Sequence, residues 1–414
     1  MKASFYLFLT IFVLGDNAFG QSLPDLEIGS IASLTYKNSQ SGASPLKINN
    51  GNGGFFHRWV ILFGAKINGS LSLYAEIETV KGLQFINYGL SAMYRPNGWN
   101  YLNLEAGKFL VPFGTFLRRR WDSENPLIGL PLLYEYRTGL SAFDLPKNES
   151  ELLRVRGQGE SFQYHSESSE TRLDEFVVTF SGHIPRPGSG LRIISREVYL
   201  TGVQIFGTGG RFDYNFGITN GALSNPADIN NSSAVQILAR MSYNPFIGLN
   251  LATSVSWGSY LDKESVNSGL QDLGKSVEDF RQITAGVDVS YSIGHLVFYS
   301  EFILNRWQTP FIEEDLDALA FYVEGKYTFL TRFYIAGRFS QIDFMAIDDP
   351  SDIDGDGQFR ESWDHDIRQL ELGLGYRINR NALFKLATQL NRTQGVLEGD
   401  PDDDLVTLQL VVFF

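Results

Sequence analysis

Three adjacent arginines, Arg118, Arg119 and Arg120, form the most distinctive charged cluster of the sequence, and Asp122 and Glu124 follow closely. Guanidinium groups bind carboxylates and phosphates through paired hydrogen bonds, so such a cluster can attract anions. Adjacent side chains on an extended chain cannot all face one direction. We expect one or two arginines to attract anions while Asp122 or Glu124 pairs with the rest. The alternative is a self-neutralised surface cluster.

Other charged residues occupy alternate positions of segments with strand-like patterns, so they are predicted to share one face of a sheet. Mixed charge along a water-filled passage sets a transverse field and biases the passage of ions. The alternative is that these are ordinary solvated side chains without a selective role. The principal candidates are Arg95, Glu105, Arg240, Asp288, Glu324, Lys326, Arg338, Glu371, Arg377 and Lys385, and the same faces include Lys66, Glu76, Glu78, Asp213 and Glu301.

A short acidic motif suggests a metal site. Asp352, Asp354 and Asp356 stand at positions 1, 3 and 5 of a possible calcium loop, with Gly357 at position 6. Trp363 stands where the bidentate Glu of position 12 is expected. We predict a weak structural calcium site in the segment 345–363, with a plain acidic loop as the alternative, and no other cofactor.

Catalysis is not expected. His365, between Asp364 and Asp366, is the one acid–base candidate among the five histidines. No G-x-S-x-G nucleophile motif accompanies it. The sequence also lacks a phosphate-cradling loop and has no cysteine to bind a metal. We therefore predict that the protein is not an enzyme.

The N-terminus is typical of an exported chain. Lys2 precedes an apolar run from Phe5 to Leu14, and Ala18 and Gly20 occupy the small-residue positions of a cleavage site. A membrane helix needs about 20 apolar residues, and Asp16 interrupts this run too early. We expect residues 1–20 to be a signal peptide and residues 21–414 to form a single domain.

The composition favours a membrane-spanning sheet. The chain contains 32 Phe, 19 Tyr and 41 Gly but no Cys, which excludes a disulfide scaffold. Downstream of the signal peptide, no apolar run is long enough for a membrane helix. A closed barrel is the other structure that pairs every backbone polar group in lipid. The net charge of −13, much of it in acidic clusters between strands, argues against a nucleic-acid partner.

Period-two alternation supports the barrel. In the last segment, Leu405–Phe414, the residues Val406, Leu408, Leu410 and Val412 share one face while Thr407 and Gln409 interrupt the other. The pattern recurs in Ile283–Tyr291, Leu319–Phe329, Phe333–Phe339 and Leu370–Ile378.

Short turns alternate with long polar segments, the longest being 113–195, as expected of a barrel with short periplasmic turns and long outer loops. We predict an all-β, antiparallel transmembrane β-barrel of about 16 strands. The count becomes 18 if Glu175–His183 pairs with Leu191–Ser195 in the wall.

Several motifs resemble the outer-membrane porins, in particular the group that includes the phosphate-selective porins. They are GKFLVPFG from Gly107, NPLIGLP from Asn125, TGVQIFG from Thr201 and FGITNG from Phe216. The resemblance implies a Gram-negative outer membrane, possible homotrimers, and a long loop that folds inside to form the constriction. Arg118, Arg119, Arg120, Asp122 and Glu124 would lie in that constriction. The terminal aromatic strand resembles the signal that barrel-insertion machinery reads.

The leading functional hypothesis is passive diffusion of small hydrophilic or ionic solutes through the barrel, because about 16 strands are wide enough for an aqueous channel. The partners would be outer-membrane lipid and the solutes themselves. A second hypothesis is a non-conducting surface barrel that displays loops for adhesion or partner docking. A transporter with an N-terminal plug is disfavoured, because the first strand begins near Leu26.

Overall fold

The computed structural model describes residues 25–39, 54–80, 84–96, 99–159, 190–196, 199–227, 234–263, 266, 270, 274–352, 355, 357–396, 400–401 and 403–414. The predicted signal peptide and the segment Glu175–His183 lie outside this part of the chain.

Sixteen antiparallel strands close into one barrel, in which each wall strand pairs with the next wall strand along the chain, β13 pairs with β16, and β1 pairs with β18. The strands are β1 (Asp25–Ser39), β2 (Gly54–Lys66), β3 (Leu71–Val80), β4 (Gln84–Tyr94), β5 (Asn103–Leu110), β6 (Tyr199–Gly209), β7 (Phe212–Asn220), β8 (Val235–Phe246), β9 (Leu249–Ser259), β10 (Arg281–Ile293), β11 (Leu296–Trp307), β12 (Leu316–Phe329), β13 (Phe333–Phe344), β16 (Ile367–Asn379), β17 (Ala382–Thr393) and β18 (Leu405–Phe413). Two further strands, β14 (Ala346–Asp348) and β15 (Arg360–Ser362), form a separate hairpin in the loop before β16.

The alternation in the sequence determines which face of each strand meets lipid. In β18, Val406, Leu408, Leu410 and Val412 are exposed on the outer surface, whereas Thr407 and Gln409 are buried on the inner face. The same division holds in β10, where Val287 is exposed and Asp288 is buried. An apolar outside and a polar inside are the signature of a barrel that spans a bilayer. No helix in the described part of the chain is long and apolar enough to cross a membrane.

The predicted count of 16 is confirmed, and the 18-strand alternative is wrong. Strand β5 pairs directly with β6, with Gly107 opposite Gly202, so no strand is inserted between them. Gly107 has φ +123 and its hydrogen atoms face the backbone of Leu90, a position where no side chain fits. The residues Leu191–Ser195 are not in the wall but form an irregular, buried segment.

The long segment between β5 and β6 turns back into the barrel. It contains a 3-10 turn (Phe116–Arg119) and two short helices, α1 (Leu132–Glu135) and α2 (Glu149–Arg154). Its apolar side chains pack against inward residues of the wall, so that Phe116, Leu133 and Tyr134 join Tyr322 and Trp307 in one buried cluster. Helix α1 packs against β12, β13 and β16. We call residues 113–159 the internal loop.

The two faces of the wall should tolerate charge differently. Val287→Arg, on the lipid face near the middle of β10, should lower the free energy of unfolding in vesicles by about 2–4 kcal/mol, because the guanidinium enters hydrocarbon. Ser290→Arg, on the inward face of the same strand, is the matched control and should cost much less. Equilibrium guanidinium unfolding in lipid vesicles measures both. Equal losses would contradict the assigned faces.

Candidate functional site

The internal loop leaves the wall after β5, and its first residues bind to β11 on another side of the barrel. The backbone N–H groups of Thr115 and Phe116 both donate to Glu301 of β11, each at 2.6 Å, and the Tyr134 hydroxyl donates to the same carboxylate at 2.7 Å. Gly114 permits the sharp turn with φ +62. A buried carboxylate is stable here because several donors replace the water it has lost.

Two adjacent arginines then reach nearly opposite walls. Arg119 pairs with Glu324 of β12, and its guanidinium also donates to the Tyr322 hydroxyl at 3.1 Å. Arg120 binds both oxygens of Glu76 of β3, at 2.8 and 2.9 Å. Strands β3 and β12 are seven positions apart in a ring of 16. The pair of arginines therefore forms a strut across the lumen, and we use that name for Arg119 and Arg120 with Glu324 and Glu76.

This pairing differs from the one predicted from sequence. Asp122 does not neutralise the arginines but accepts from the Ser33 hydroxyl at 2.5 Å and lies 3.6 Å from a guanidinium nitrogen of Arg58. Glu124 is exposed. Asp122 and Glu124, the expected partners, follow the arginines too closely in the chain to meet their guanidinium groups. The 3-10 turn directs the Arg119 and Arg120 side chains towards the wall, where Glu324 and Glu76 are within reach.

Arg118, the third arginine, is exposed within the barrel. It interacts electrostatically with Arg240, Asp288 and Asp213 on the inner wall of β7, β8 and β10. It is therefore the member of the triplet that faces water.

The tip of the internal loop is held mainly through its backbone. Lys385 of β17 is fully buried and donates to the carbonyl oxygens of Asp122, Asn125 and Leu127, at 2.6, 2.8 and 3.2 Å. On the neighbouring strand, Glu371 accepts from the N–H groups of Ile128 and Gly129, at 3.1 and 2.8 Å.

Arg338 of β13 joins these contacts, because it donates to the Gly129 carbonyl at 2.9 Å and lies between Glu324 and Glu371. In a wider, water-filled lumen these wall charges would be solvated. Here Lys385, Glu371 and Arg338 bind the internal loop instead.

The outer end of the internal loop is fastened at one buried carboxylate, Asp364, just before β16. It accepts from the N–H groups of Gly139 and Gly157, both at 2.7 Å, and from the Tyr136 hydroxyl at 2.8 Å. Burial raises the pKa of Asp364 to about 6, since desolvation outweighs these donors. Burial beside Arg156 lowers the pKa of His365 to about 4, so this imidazole is neutral at neutral pH.

The remaining predicted residues lie on the inward side of the strands or at their ends. Arg240 binds Asp288 through two hydrogen bonds, and Glu105 accepts from Ser91 and Gln204 at 2.6 and 2.7 Å. The Lys326 ammonium lies 4.6 Å from the centre of the Tyr334 ring.

The last predicted positions are at the strand ends and in the outer loops. Arg377 is exposed, and Arg95 lies 5.8 Å from the centre of the Phe206 ring. Asp352 accepts from the Gly357 N–H at 3.1 Å, whereas Asp354 and Asp356 lie outside the described residues. The calcium site and the selective role of the lumen charges stay predictions.

Three anchors were not identified from the sequence: Arg58, Tyr199 and Asp364. Arg58 lies two residues before the inward Val60, so the period-two pattern of β2 could have revealed it. The Tyr199 hydroxyl hydrogen-bonds to Glu76 and Arg120 from the first residue of β6. Nothing in the sequence signals that contact, because it joins residues more than 70 positions apart.

A closed 16-strand antiparallel barrel with a loop folded into its lumen defines a class: the chain is a transmembrane β-barrel of the outer-membrane type. No family model and no curated protein matches the sequence. The fold is similar to solved outer-membrane proteins.

Three solved structures match with a TM-score of 0.55. OmpT of Vibrio cholerae, folded in vitro, is 8% identical, with 95% of this chain and 98% of that chain covered. The anion-selective porin of Comamonas acidovorans is 9% identical, covering 94% and 100%, and Salmonella typhi OmpF is 11% identical, covering 94% and 98%. A trimer form of Vibrio cholerae OmpT also matches, with a TM-score of 0.53. The similar structures thus include porins.

Removing the buried ammonium should loosen the loop tip. Lys385→Met keeps the length and the apolar stem but leaves the carbonyls of Asp122, Asn125 and Leu127 without their donor, so the free energy of unfolding should fall by about 3 kcal/mol. Hydrogen exchange at residues 122–129 should accelerate. Lys326→Met, the same change at a lumen lysine with an aromatic neighbour, is the control. Unchanged exchange in Lys385→Met would show that the loop is held elsewhere.

Proposed function

We propose that the protein is an outer-membrane channel for small hydrophilic or ionic solutes, and that the strut sets its narrowest point. The observation that carries this proposal is the partial exposure of charge on inward positions on both sides of the strut. Towards the outer end, the Arg58 side chain is 29% exposed. Towards the periplasmic end, Arg118 and Arg377 are exposed. Charged groups inside a barrel are exposed to water, so these exposed side chains support entry of water into the lumen on both sides of the strut.

Selectivity in such a channel depends on the charges that remain unpaired. Arg240, Arg338, Arg119 and Arg120 all pair with carboxylates. Selectivity for phosphate would need a continuous row of unpaired basic side chains, so we propose a weak preference for anions instead, due to Arg118. Among the described residues, Arg118 forms no ion pair within 4 Å.

A second candidate is favoured by the depth of burial at the crossing. Glu76 and Glu324 are 0% exposed, and apolar side chains pack around them. A loop held so tightly is compatible with a non-conducting barrel that displays its outer loops for adhesion or docking. Conductance across a planar bilayer separates the two candidates: discrete ohmic steps support the channel, and their absence with purified, folded protein supports the surface barrel.

Weakening the strut should enlarge the current. With Arg119→Gln and Arg120→Gln combined, the salt-bridged guanidinium groups no longer cross the lumen, and single-channel conductance in planar bilayers should rise severalfold over the native step. Arg306→Gln, in an exposed ion pair with Asp317, is a control that should leave the step unchanged. A double variant with native conductance would place the narrowest point away from the strut.

Neutralising the exposed Arg118 should change the ion selectivity of the channel but not its conductance. Arg118→Gln removes the positive charge that faces water, so the reversal potential in a salt gradient should shift towards cations while the conductance stays close to native. Arg118→Lys keeps the charge and should retain the native reversal potential. If Arg118→Gln leaves the reversal potential unchanged, this residue does not line the path.

We also propose that the chain assembles as a homotrimer, supported by the trimer form of the similar Vibrio cholerae protein. We likewise propose that the segment 345–363 binds calcium and that residues 1–20 are cleaved as a signal peptide. We also propose that barrel-insertion machinery recognises the terminal strand and that the protein is not an enzyme. Transport by diffusion needs a pore of suitable radius and charge and no reacting group.

A further inference from the structure

One cation of the internal loop and one carboxylate of the wall interact in the periplasmic half of the barrel without forming an ion pair. Arg118 is exposed, and Asp213, at the periplasmic end of β7, is half-buried on the inward face. The two charges interact electrostatically. Neither group forms an ion pair within 4.0 Å with any described residue, so a gap separates them. We call Arg118 and Asp213 the dipolar site.

Neutral donors hold the Asp213 carboxylate in place. Its Oδ1 accepts from the Thr208 hydroxyl at 2.7 Å, and its Oδ2 accepts from the Ser242 hydroxyl at 3.1 Å and from the Asn244 amide at 2.9 Å. An ionised carboxylate has about four acceptor positions, so these three donors leave room for another. The donors fix the orientation of the carboxylate but do not neutralise it, so Asp213 presents a full negative charge at a defined place on the wall.

The backbone of Arg118 is also held, although its side chain is exposed. Arg118 lies in the 3-10 turn, which is fixed at its start by the N–H of Phe116 bound to Glu301 and at its end by the pairing of Arg119 with Glu324. The position of both charges is therefore determined by contacts that do not use the charges themselves. Such a preorganised pair binds a solute without first having to order the protein groups.

The other charged groups in this part of the lumen have partners of their own. Arg240 and Asp288, which also interact with Arg118, bind each other through two hydrogen bonds and so contribute no net charge. The remaining groups are Glu105, which is buried and accepts from Ser91 and Gln204, Arg95, which lies against the Phe206 ring, and Glu124, which interacts with Arg120. Arg118 and Asp213 are therefore one accessible charge of each sign.

This arrangement selects the charge pattern of a solute. An anion gains Arg118 but is repelled by Asp213, and a cation meets the opposite situation. A zwitterion satisfies both groups, because a guanidinium binds a carboxylate through paired hydrogen bonds and a carboxylate accepts from an ammonium. Both groups are accessible to water, so such binding is weak. Weak binding suits a channel, because the solute must leave as well as enter.

We propose that the dipolar site binds a small zwitterion, a solute with one ammonium and one carboxylate group, on its way through the barrel. This inference rests on the proposed channel function and names a solute class that the channel favours. The carboxylate of the solute binds Arg118 on the internal loop, and its ammonium binds Asp213 on the wall. The solute therefore lies across the gap between loop and wall, with its two ends in a fixed order.

Binding to the full chain folded in an uncharged detergent tests the proposal, with saturation-transfer NMR at neutral pH and three probes of similar length. γ-Aminobutyrate has both charges, butyrate has only the carboxylate, and butylamine has only the ammonium. The flexible chain of γ-aminobutyrate lets its two ends adjust to the gap. We expect γ-aminobutyrate to bind about fivefold more tightly than either single-charge probe, the effect of one additional exposed ion pair.

Substitutions at the two charges should each remove one half of the site. Arg118→Gln should weaken γ-aminobutyrate binding about fivefold, to the level of butylamine, and Asp213→Asn should weaken it to the level of butyrate. Arg377→Gln, at an exposed inward arginine of β16, is the matched control and should bind γ-aminobutyrate as the native chain does. Heat-modifiable migration in gel electrophoresis shows that each variant is a closed barrel.

The outcomes separate the inference from the proposed function. Native protein that conducts ions in a bilayer but binds γ-aminobutyrate no more tightly than butyrate or butylamine overturns the dipolar site and leaves the channel intact. Equal losses in Arg118→Gln and Arg377→Gln also overturn the site, because the overall charge of the lumen would then determine binding. γ-Aminobutyrate binding that follows the predicted order without any ion conductance supports the site and overturns the channel.

Discussion

Complete pairing of backbone hydrogen bonds within lipid is the constraint on which this structure depends. A sheet with a free edge would expose N–H and C=O groups to hydrocarbon, so the sheet closes by pairing β1 with β18. Closure of 16 strands creates an interior wide enough to hold more than the wall side chains. The alternation of the strands directs polar and charged groups into that interior, and these groups are the ones that hold the internal loop.

The loop is fastened by charges whose partners are often backbone groups. Glu301 and Glu371 accept from loop N–H groups, and Lys385 donates to loop carbonyls. A loop has unpaired backbone groups wherever it is not a helix or strand, and where this loop packs against the wall, water is excluded from them. Burial of an unpaired charge and burial of unpaired backbone groups are both unfavourable. A wall charge that binds two or three loop backbone groups removes both costs, because the charge and the backbone each gain a partner. Apolar packing around Phe116 and Tyr134 then excludes water and strengthens these contacts.

The sequence predicted the barrel well because its signal is local and repeated. Val406, Leu408 and Leu410 mark the lipid face of β18 by spacing alone, and short turns mark the periplasmic ends. The inward positions of Glu324, Arg338 and Lys385 followed from the same spacing. The partners of Arg119 and Arg120 did not follow, because they depend on where a turn in mid-lumen directs each guanidinium. The residue pairs concerned, Arg119 with Glu324 and Arg120 with Glu76, are far apart in sequence, and no local pattern encodes the distance across a closed barrel.

The order of the anchors along the chain has a consequence for assembly. The internal loop leaves the wall after β5, yet most of its partners lie on β11, β12, β13, β16 and β17, which are synthesised later. The loop therefore cannot reach its final position while the C-terminal half of the sheet is missing. Docking of the loop must accompany or follow closure of the wall, and until then its arginines and backbone groups remain hydrated. Folding of this protein thus includes a late internal step, in which a segment from the first third of the chain meets strands from the last third.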